Sequence, residues 1–520
     1  MKTKQLFFCG LTGLALLAAS CSSNDEALGG GNETSNEGNT YAQIAISVAN
    51  SATTRADGNN TGDDVYGDDN EYTVNDLTVV LTDKNDIAMQ VITPDLKDPT
   101  NEGEADKVVR VTKPFKCTPG NYKVYVLANY KNSQSSLSPI IKGSTDMKMV
   151  FGLSDITKLS TEGNFFMTNV SAPKEEKIDE DATGNATKTE VNDDGTEKAD
   201  GVTNLNLLKV DVERAVSKVT FNQTNQSFNI EEGGNTIATA KLEGASLINL
   251  NKKMYLVKDG TPAQNKPISS GDWPYPMDPN YDKTSIDKVY IDENFAQSSA
   301  SDFKAVNSAK FYCPENTMTA NVQLNGQTTG VVYKVKYTPK DGYYTVLADK
   351  NGTDSYSQMF AKVLQLGTVN IDPLITKDIF TTADFKDGTF YSYNGYVFKS
   401  KAGARLYKAI ATNTDGKAAT VNTAFQSPEI DKDIQTYTNG YCYYTAWIKH
   451  NPNGTTMQQD KYGVVRNFWY ELTVNSIKKL GYSQPTYKDP TDPDDKAEAS
   501  IQVQVNIKKW RWVKQTVDLE

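Results

Sequence analysis

The clearest pattern in the chain is a short stretch near its beginning in which apolar and more polar positions alternate. Along residues 41–48, Ala42, Ile44, Ile46 and Val48 fall on one side of the alternation. The other side carries Tyr41, Gln43, Ala45 and Ser47. Successive side chains of a strand point to opposite faces, so this pattern predicts a half-buried β-strand.

Similar alternation, or short runs of β-branched and aromatic residues, recurs along the rest of the chain. It predicts strands at 77–81, 88–92, 107–112, 122–127, 205–221, 238–250, 332–337, 343–346, 391–398, 441–448 and 469–474. Helical periodicity is scarce and predicts short helices only at 154–159 and 301–308. The fold class that follows is all-β, or β-dominated, with two sandwich-like domains. The charged segment 173–201 is interpreted as a disordered loop or an interdomain linker.

The C-terminal end combines a linker with a strongly amphipathic segment. Residues 489–495 are rich in Pro and Asp, and we expect them to be extended and exposed. After them the apolar positions alternate and then slip in phase, as a bulge or turn allows; they are Ile501, Val503, Val505, Ile507, Trp510, Trp512, Val513, Val517 and Leu519. Two interpretations stay open: the segment folds into its own domain, or it completes the sheet of another molecule.

The first 20 residues have the regions of a secretory signal. Lys2 and Lys4 precede an apolar run at 6–17 that is too short to span a membrane readily. The junction Leu17-Ala18-Ala19-Ser20-Cys21 resembles a bacterial lipobox. It predicts signal cleavage between Ser20 and Cys21 and a lipid on the Cys21 thiol. The alternative is an ordinary secretory signal with an incidental cysteine.

Polar stretches flank the first predicted strand. Residues 22–40 are interpreted as a flexible tether, and the Gly/Asp/Asn-rich residues 57–70 should be exposed. Arg55, at the edge of this loop, is therefore accessible to a trypsin-like protease, although most exposed arginines are simply solvated. A calcium site in 57–70 lacks the terminal Glu of a full ligand loop.

Composition excludes several classes of function. The net charge of −11 does not provide the basic face that a nucleic-acid binder needs. The sequence has a single histidine, His450, and no nucleophile elbow, phosphate loop or zinc motif. We therefore predict no enzyme activity, no cofactor and no metal. We expect Cys117, Cys313 and Cys442 to be mostly free and buried, with one disulfide among them left open.

A set of local motifs is spread over most of the chain. They are the lipobox at 17–21, Thr-Thr-Arg-Ala-Asp-Gly at 53–58, Tyr-Lys-Val-Tyr-Val-Leu-Ala-Asn at 122–129, Val-Asp-Val-Glu-Arg-Ala-Val-Ser-Lys-Val at 210–219, Tyr-Cys-Pro-Glu-Asn at 312–316, Tyr-Tyr-Thr-Ala-Trp at 443–447, Val-Val-Arg-Asn-Phe-Trp-Tyr at 464–470 and Ser-Ile-Lys-Lys-Leu-Gly at 476–481, before the linker and the final segment. Their order and spacing resemble the major subunits of Bacteroidales type V fimbriae, especially the short-fimbria (Mfa-type) major fimbrillins. Lys508-Lys509 departs from the apolar-Pro pair of those relatives.

The resemblance implies two transthyretin-like, Greek-key β-sandwich domains in tandem, followed by a C-terminal donor strand. It implies a signal peptide at 1–20, a propeptide with tether and first strand at 21–55, an N-terminal domain at 56–204, a C-terminal domain at 205–488, and a linker with the donor strand at 489–520.

The resemblance also implies a mechanism. A precursor lipidated at Cys21 reaches the outer membrane, and an arginine-specific or trypsin-like protease cuts between Arg55 and Ala56. The cut removes the strand 41–48, and residues 501–519 of an identical subunit fill the groove head to tail. Fimbrial anchor and tip subunits are the other expected partners. The implied function is that of the structural major subunit of a surface fimbria that supports adhesion and biofilm formation.

Two further interpretations compete with this one. A surface-exposed glycan-binding lipoprotein would have a similar leader and similar β-domains, and the 28 tyrosines could supply its aromatic platforms. A fimbrial tip or accessory adhesin has less use for a terminal donor strand, because it has no further subunit to complete.

Overall fold

The structure, a computed structural model, describes residues 38–48, 64–97, 109–180, 182, 205–258, 275–284, 286–297, 299, 302–340, 387–415, 417–485, 489–496 and 501–511. All of them belong to one compact unit, Asn36–Glu520. The predicted signal peptide and the predicted strand at 343–346 lie outside the described residues.

The described strands fall along the chain in two groups. The first group is Thr40–Val48 (β1), Asp64–Tyr66 (β2), Leu77–Thr82 (β3), Ala88–Ile92 (β4), Val109–Val111 (β5), Phe115–Cys117 (β6), Gly120–Ala128 (β7), Phe151–Gly152 (β8), Ser160–Thr161 (β9), Asn164–Phe165 (β10), Met167–Asn169 (β11) and Glu175–Ile178 (β12). The second group is Asn206–Arg214 (β13), Val216–Phe221 (β14), Ser227–Glu232 (β15), Asn235–Ile248 (β16), Leu250–Asn251 (β17), Lys253–Met254 (β18), Phe295–Ala296 (β19), Lys304–Ala305 (β20), Lys310–Pro314 (β21), Gly330–Pro339 (β22), Phe390–Tyr393 (β23), Tyr396–Phe398 (β24), Gln435–Tyr437 (β25), Tyr441–Trp447 (β26), Phe468–Ile477 (β27) and Ile501–Arg511 (β28).

Helices are short and few in the described part of the chain. The α-helices are Tyr130–Ser133 (α1), Lys288–Asn294 (α2), Lys401–Ala411 (α3) and Ala418–Gln426 (α4). Single 3-10 turns occur at Asp69–Glu71, Gln134–Ser136, Ile156–Leu159, Ala320–Val322, Pro428–Asp431, Thr438–Gly440 and Asp494–Lys496.

Nine of the described strands form the first sheet. Its order is β4-β3-β7-β11-β13-β1-β5, with β12 paired to β7 and β6 paired to β1. All residues of β3 are buried, as expected for a strand that is covered on both faces. A first hydrophobic core packs on this sheet, and Ile44, Val79 and Leu127 are among its fully buried members.

A second core belongs to two further sheets of five described strands each. One sheet has the order β2-β28-β27-β14-β21, and the other has the order β15-β16-β22-β26 with β20 paired to β16. Tyr333 and Tyr470 are fully buried in this core. The two cores meet along one chain segment, because Val216 of β14 packs in the first core and Val219 of the same strand packs in the second.

A smaller third core lies around α3, α4 and the strands β23–β25. The predicted strand 391–398 is a tight hairpin here, since Asn394 and Gly395 both have positive φ, at 48° and 83°. Ser400 begins α3, and its hydroxyl accepts a hydrogen bond from the Gly403 N–H. Neither α3 nor α4 is predicted by our sequence analysis.

The β-dominated fold class is confirmed. Four local predictions need correction. Residues 175–178 of the charged segment 173–201 form β12, which is paired with β7 in the first sheet. The predicted strand 205–221 is broken at Ala215 into β13 and β14, and the predicted helix 154–159 is only a 3-10 turn. The predicted helix 301–308 is wrong, because its described residues form β20 and a turn. The domain boundaries stay a prediction.

Gly330 gives a test of core packing. It pairs with Trp447 across β22 and β26, and a Cβ placed there would lie 2.6 Å from Cε3 of the Trp447 ring. We expect Gly330→Ala to lower the free energy of unfolding by about 1–3 kcal/mol, because the ring has to move. Gly152→Ala is the control, since the nearest atom to its Cβ is Ser138 Oγ at 3.7 Å. Urea unfolding measures the stability of both variants, and equal midpoints would contradict this packing.

Candidate functional site

The predicted first strand is β1, and it is an interior strand of the first sheet. Its apolar residues Ala42, Ile44, Ile46 and Val48 are each exposed by 1% or less. The opposite face is covered as well, since Gln43 is 1% exposed. The prediction of a strand is confirmed, but the prediction that it is half-buried is wrong.

Both edges of β1 carry partner strands. Residues 42–48 pair in parallel with residues 206–212 of β13. On the other edge, residues 45–47 pair antiparallel with β5, and residues 40–42 pair antiparallel with β6. The strand therefore has no solvent-facing ladder within the described residues.

Thr112 lies in the gap between β5 and β6 and is fully buried. The Ile44 N–H donates to Thr112 Oγ1 at 3.0 Å, and the Thr112 N–H donates to the Ile44 carbonyl at 2.9 Å. The side-chain amide of Gln43 donates to the Thr112 carbonyl at 2.8 Å. Thr112 therefore binds β1 with its hydroxyl, its N–H and its carbonyl, and the carbonyl accepts from the carboxamide of Gln43.

Removal of β1 would leave a deep groove between β13 and the β5–β6 edge. Ile44, Ile46 and Val48 each stabilise the fold by roughly 1.5–3 kcal/mol through burial. The ladder groups of β13 would also lose their partners, and unpaired buried groups cost about 1–3 kcal/mol each. An empty groove of this kind is unstable unless another strand fills it.

The residues predicted to be processed lie outside the described part of the chain. These residues are Ser20, Cys21, Arg55 and Ala56. The described chain resumes at β2, which pairs in parallel with residues 509–511 of β28.

A buried ion cluster fixes the chain directly after β2. Lys218 Nζ lies 2.6 Å from Glu71 Oε1, and both side chains are 2% exposed. Tyr312 donates to the same Glu71 oxygen at 2.5 Å. Burial lowers the pKa of Lys218, whereas the bond from Lys310 lowers the pKa of Asp68 beside it. This cluster joins residues 68–71 to the second sheet, so they stay in place if the chain is cut before them.

The predicted donor segment begins as β28, and β28 is folded onto its own chain. Residues 501–509 pair antiparallel with β27. Val505 is buried, and Ile501 and Val503 pack partly buried against the second core. Of the two interpretations left open by the sequence, the structure has this strand in its own domain. The side chains of Ile507 and Trp510, and the residues Trp512, Val513, Val517 and Leu519, lie outside the described residues.

The slip in hydrophobic phase does not break the last strand, which is continuous from Ile501 to Arg511. The irregularity is on the partner instead: the register shifts between Val474 and Ser476, so β27 carries a bulge at Asn475.

The Pro/Asp linker is docked, not free. The N–H groups of Asn325 and Gly326 donate to the carbonyls of Asp492 and Pro490 at 3.0 and 2.8 Å. The Asp494 side chain is 1% exposed and accepts a bond from Thr328 Oγ1 at 2.5 Å. The expectation of an extended segment is therefore wrong for the described residues 489–496, whereas the expectation of exposure holds for Asp489, Thr491 and Pro493 but not for Asp494.

The adjacent carboxylates of the linker have opposite electrostatic environments. Burial raises the pKa of Asp494 well above its ordinary value. Burial also works to raise the pKa of Asp495, but bonds from Lys461, the Met457 N–H and Tyr462 lower it overall. Lys461 Nζ lies 2.6 Å from Asp495 Oδ1. The sequence does not indicate this site, because aspartates beside prolines are normally solvated.

The described cysteine and histidine side chains, which are the types most often used in catalysis and metal binding, are buried. Cys117, Cys313 and Cys442 are free and buried, and burial raises the pKa of Cys442 to about 11. His450 is buried, with Nδ1 2.7 Å from the Tyr470 hydroxyl. Across the described ranges, no group of acidic, histidine or cysteine side chains is arranged to hold a metal, and no helix is long and apolar enough to cross a membrane.

Two family models match the chain. The model for the major fimbrial subunit protein (FimA) matches residues 42–211, from β1 into β13. The model for the C-terminal part of fimbrillin, the type IV major fimbrial subunit protein, matches residues 435–516, from β25 through β28. The resemblance to the major fimbrial subunits is confirmed. The fimbrillin regions thus contain both strands of interest, β1 and β28. No curated protein matches the sequence.

Three solved structures illustrate the likeness. A candidate cell adhesion protein from Parabacteroides distasonis is 12% identical, with 92% of this chain and 99% of that chain covered and a TM-score of 0.41. A fimbrilin (fimA) from Porphyromonas gingivalis is 13% identical, with 92% and 100% covered and a TM-score of 0.37. The tip fimbrial protein Mfa3 from Porphyromonas gingivalis is 13% identical, with 90% and 100% covered and a TM-score of 0.29. Likenesses this low carry no functional conclusion.

Asp494 makes the docked linker sensitive to pH. Because its folded-state pKa is raised, its contribution to stability is complete below about pH 4 and is lost as the pH rises through the folded-state pKa. Asp494→Asn cannot ionise and keeps an acceptor for Thr328. We expect this variant to be more stable than the parent at pH 8, by about 1 kcal/mol or more, and equally stable near pH 4.

Urea unfolding at both pH values measures this difference. Asp492→Asn is the control, because Asp492 is only partly buried and makes an ion pair with the exposed Lys496. A stability difference for Asp494→Asn that does not change with pH would contradict the assignment.

Proposed function

We propose that this chain is the major structural subunit of a cell-surface fimbria and that it polymerises by exchanging β-strands. A protease cuts between Arg55 and Ala56, β1 leaves the first sheet, and the C-terminal segment of the next subunit takes its place. The general pilin role is supported by the match to the major fimbrial subunit family. The observation that carries the exchange is that β1, on the N-terminal side of Arg55, is paired along both edges.

The main-chain pairing of β28 gives a thermodynamic reason for this strand to leave its own sheet. Within the described ranges, residues 501–508 have a partner strand on one edge only, because β2 covers just 509–511. In the groove of a neighbour the same residues would pair on two edges, as β1 does. Each added hydrogen bond contributes about 0.5–1.5 kcal/mol net.

Burial favours the exchange in the same direction. Ile501 and Val503 are only partly buried against β27, whereas the core-facing residues of β1 are buried completely. The cost of the exchange is the loss of the pairing with β27 and the ordering of the moved segment, at about 1 kcal/mol or more per residue. Assembly is therefore a competition between two sites for one segment.

The contact formed in this way is heterologous. Each subunit donates at its C-terminal end and accepts at its first sheet, so the addition of identical subunits continues head to tail and produces a filament. The segment 501–519 is the proposed donor, and fimbrial anchor and tip subunits are the proposed ends.

The steps before assembly are part of the same proposal. The precursor is lipidated at Cys21 and held at the outer membrane until an arginine-specific or trypsin-like protease releases it. The mature subunit starts at Ala56 and has an N-terminal and a C-terminal domain. The strand β13 lies past the expected boundary at 204/205 but belongs to the first sheet, which accepts the donor. The fimbria supports adhesion and biofilm formation, and the chain has no catalytic role.

Arg55 can be tested with two substitutions. We expect Arg55→Ala to leave an uncleaved monomer, because β1 then keeps the groove filled. Arg55→Lys keeps a site for a trypsin-like protease and removes the site for an arginine-specific one, so it identifies the protease class. N-terminal sequencing of sheared fimbriae should give Ala56 in the parent, and normal fimbriae from Arg55→Ala cells would remove Arg55 from the mechanism.

The donor can be tested by deleting residues 501–520. The deleted chain keeps its groove, so we expect it to form no SDS-resistant ladder alone and to shorten the ladder of the parent chain when the two are mixed. Shortening shows that the variant is folded and accepts a donor. Ladders from the deleted chain alone would refute a C-terminal donor.

A further inference from the structure

Two strands at opposite ends of the chain share a sequence pattern. Residues 42–48 read Ala-Gln-Ile-Ala-Ile-Ser-Val, and residues 501–507 read Ile-Gln-Val-Gln-Val-Asn-Ile. Both have apolar residues at the first, third, fifth and seventh positions. Both have glutamine at the second position and a small polar residue at the sixth. Alternation is common to many strands, but the matched glutamine is not explained by alternation.

Gln43 has a specific role in β1. Its face of the strand is buried, and its side-chain amide satisfies the carbonyl of Thr112 at 2.8 Å. A strand of period two can shift by two residues and still keep its apolar side inward. The Thr112 carbonyl restricts this shift, because it is a buried acceptor that needs a partner. Only a long side chain with an N–H donor can reach it from the facing position of the strand.

The sixth position also has a polar partner. The Ser47 hydroxyl donates to the Asp211 carboxylate on β13. Asparagine, the residue at position 506, carries an N–H donor on a side chain of similar length. The pattern of residues 501–507 therefore provides donors at both polar contacts of β1.

We propose that residues 501–507 enter the groove of the next subunit in the register of residues 42–48, with Gln502 opposite Thr112 and Asn506 opposite Asp211. The inserted strand runs parallel to β13 and antiparallel to β5 and β6. This inference rests on the proposed strand exchange and names the segment and residues that set its register.

Side-chain volumes differ most at one position of this register. Val503 and Val505 replace Ile44 and Ile46 with one methylene less each, Ile507 replaces Val48 with one more, and Ile501 is three carbons larger than Ala42. The groove has to widen at the position of Ala42, and overpacking of this kind costs about 1–3 kcal/mol. Gln504 takes the place of Ala45, which is itself buried but pairs with the exposed Lys209 on β13, so the longer side chain has to pass along Lys209 to reach solvent.

Two neighbouring registers compete. A shift in one direction puts Lys509 at the position of Val48, which is 1% exposed, and burying an unpaired charge there is costly. A shift in the other direction puts Ala499, Ile501, Val503 and Val505 inward, which is a good apolar match. It places Ser500 at the position of Gln43, however, and the short serine leaves the buried Thr112 carbonyl unpaired, at about 1–3 kcal/mol.

Disulfide formation between engineered cysteine pairs reports the strand register directly in assembled fimbriae. In the proposed register, Asn506→Cys combined with Asp211→Cys places the two residues directly opposite each other across subunits. Neighbouring strands lie about 4.8 Å apart, so the Cα atoms of facing residues are within the roughly 7 Å that a disulfide can bridge. We expect oxidised fimbriae of this double variant to give a covalent ladder that survives boiling in SDS and collapses on reduction.

Gln504→Cys with Asp211→Cys is the matched control and represents the competing register. A stronger reducible ladder from this pair would overturn the proposal. A ladder that is resistant to SDS in both variants but covalent in neither would also overturn it, because strand exchange would then use other residues. Loss of all ladders in the parent chain would instead contradict the proposed function, so the two failures are distinguishable.

A second measurement does not depend on cysteine. Gln502→Glu places a carboxylate opposite the Thr112 carbonyl, whereas Gln504→Glu adds the same charge beside Lys209. We expect Gln502→Glu to lower the temperature at which the SDS-resistant ladder collapses, and Gln504→Glu to change it little. Urea unfolding of the uncleaved precursors corrects for effects on the subunit itself. Equal collapse temperatures for the two variants would contradict the role of Gln502.

Discussion

Backbone N–H and C=O groups inside a sheet have to stay paired, and the first sheet depends on β1 to satisfy this requirement. The strand closes the ladders of β13, β5 and β6 at once. A strand in this position can be exchanged but cannot simply be lost. The same requirement would keep a foreign strand out of this position for as long as β1 occupies it.

The second sheet has the complementary property. Its last strand, β28, is paired mainly along one edge and buries its apolar residues incompletely. The linker before it is held by a small number of polar contacts, including one buried carboxyl group at Asp494. The structure thus combines a strand that is paired along both edges with a strand that is paired mainly along one.

Much of this architecture could be predicted from the sequence, because alternation is a local signal. The strands β1, β3, β4 and β7 follow from it almost residue by residue. The burial of both faces of β1 could not, since Thr112 and Asp211 lie far away along the chain. The docked linker was missed for the same reason: its composition is that of a solvated loop, and its partners Thr328 and Lys461 are remote in sequence. The helices α3 and α4 belong to a small separate core, and their short amphipathic patterns were hidden among predicted strands.

The direction of β1 has a mechanical consequence. It runs parallel to β13, and ladder hydrogen bonds lie across the strand axis. A strand held in this way and pulled along its length loads every bond of the ladder together, whereas a strand pulled sideways from its end breaks them one after another. In a fibre whose subunits are joined through this groove, tension directed along the inserted strand would act in shear on each joint. The geometry that makes β1 hard to remove would then make the finished filament hard to pull apart.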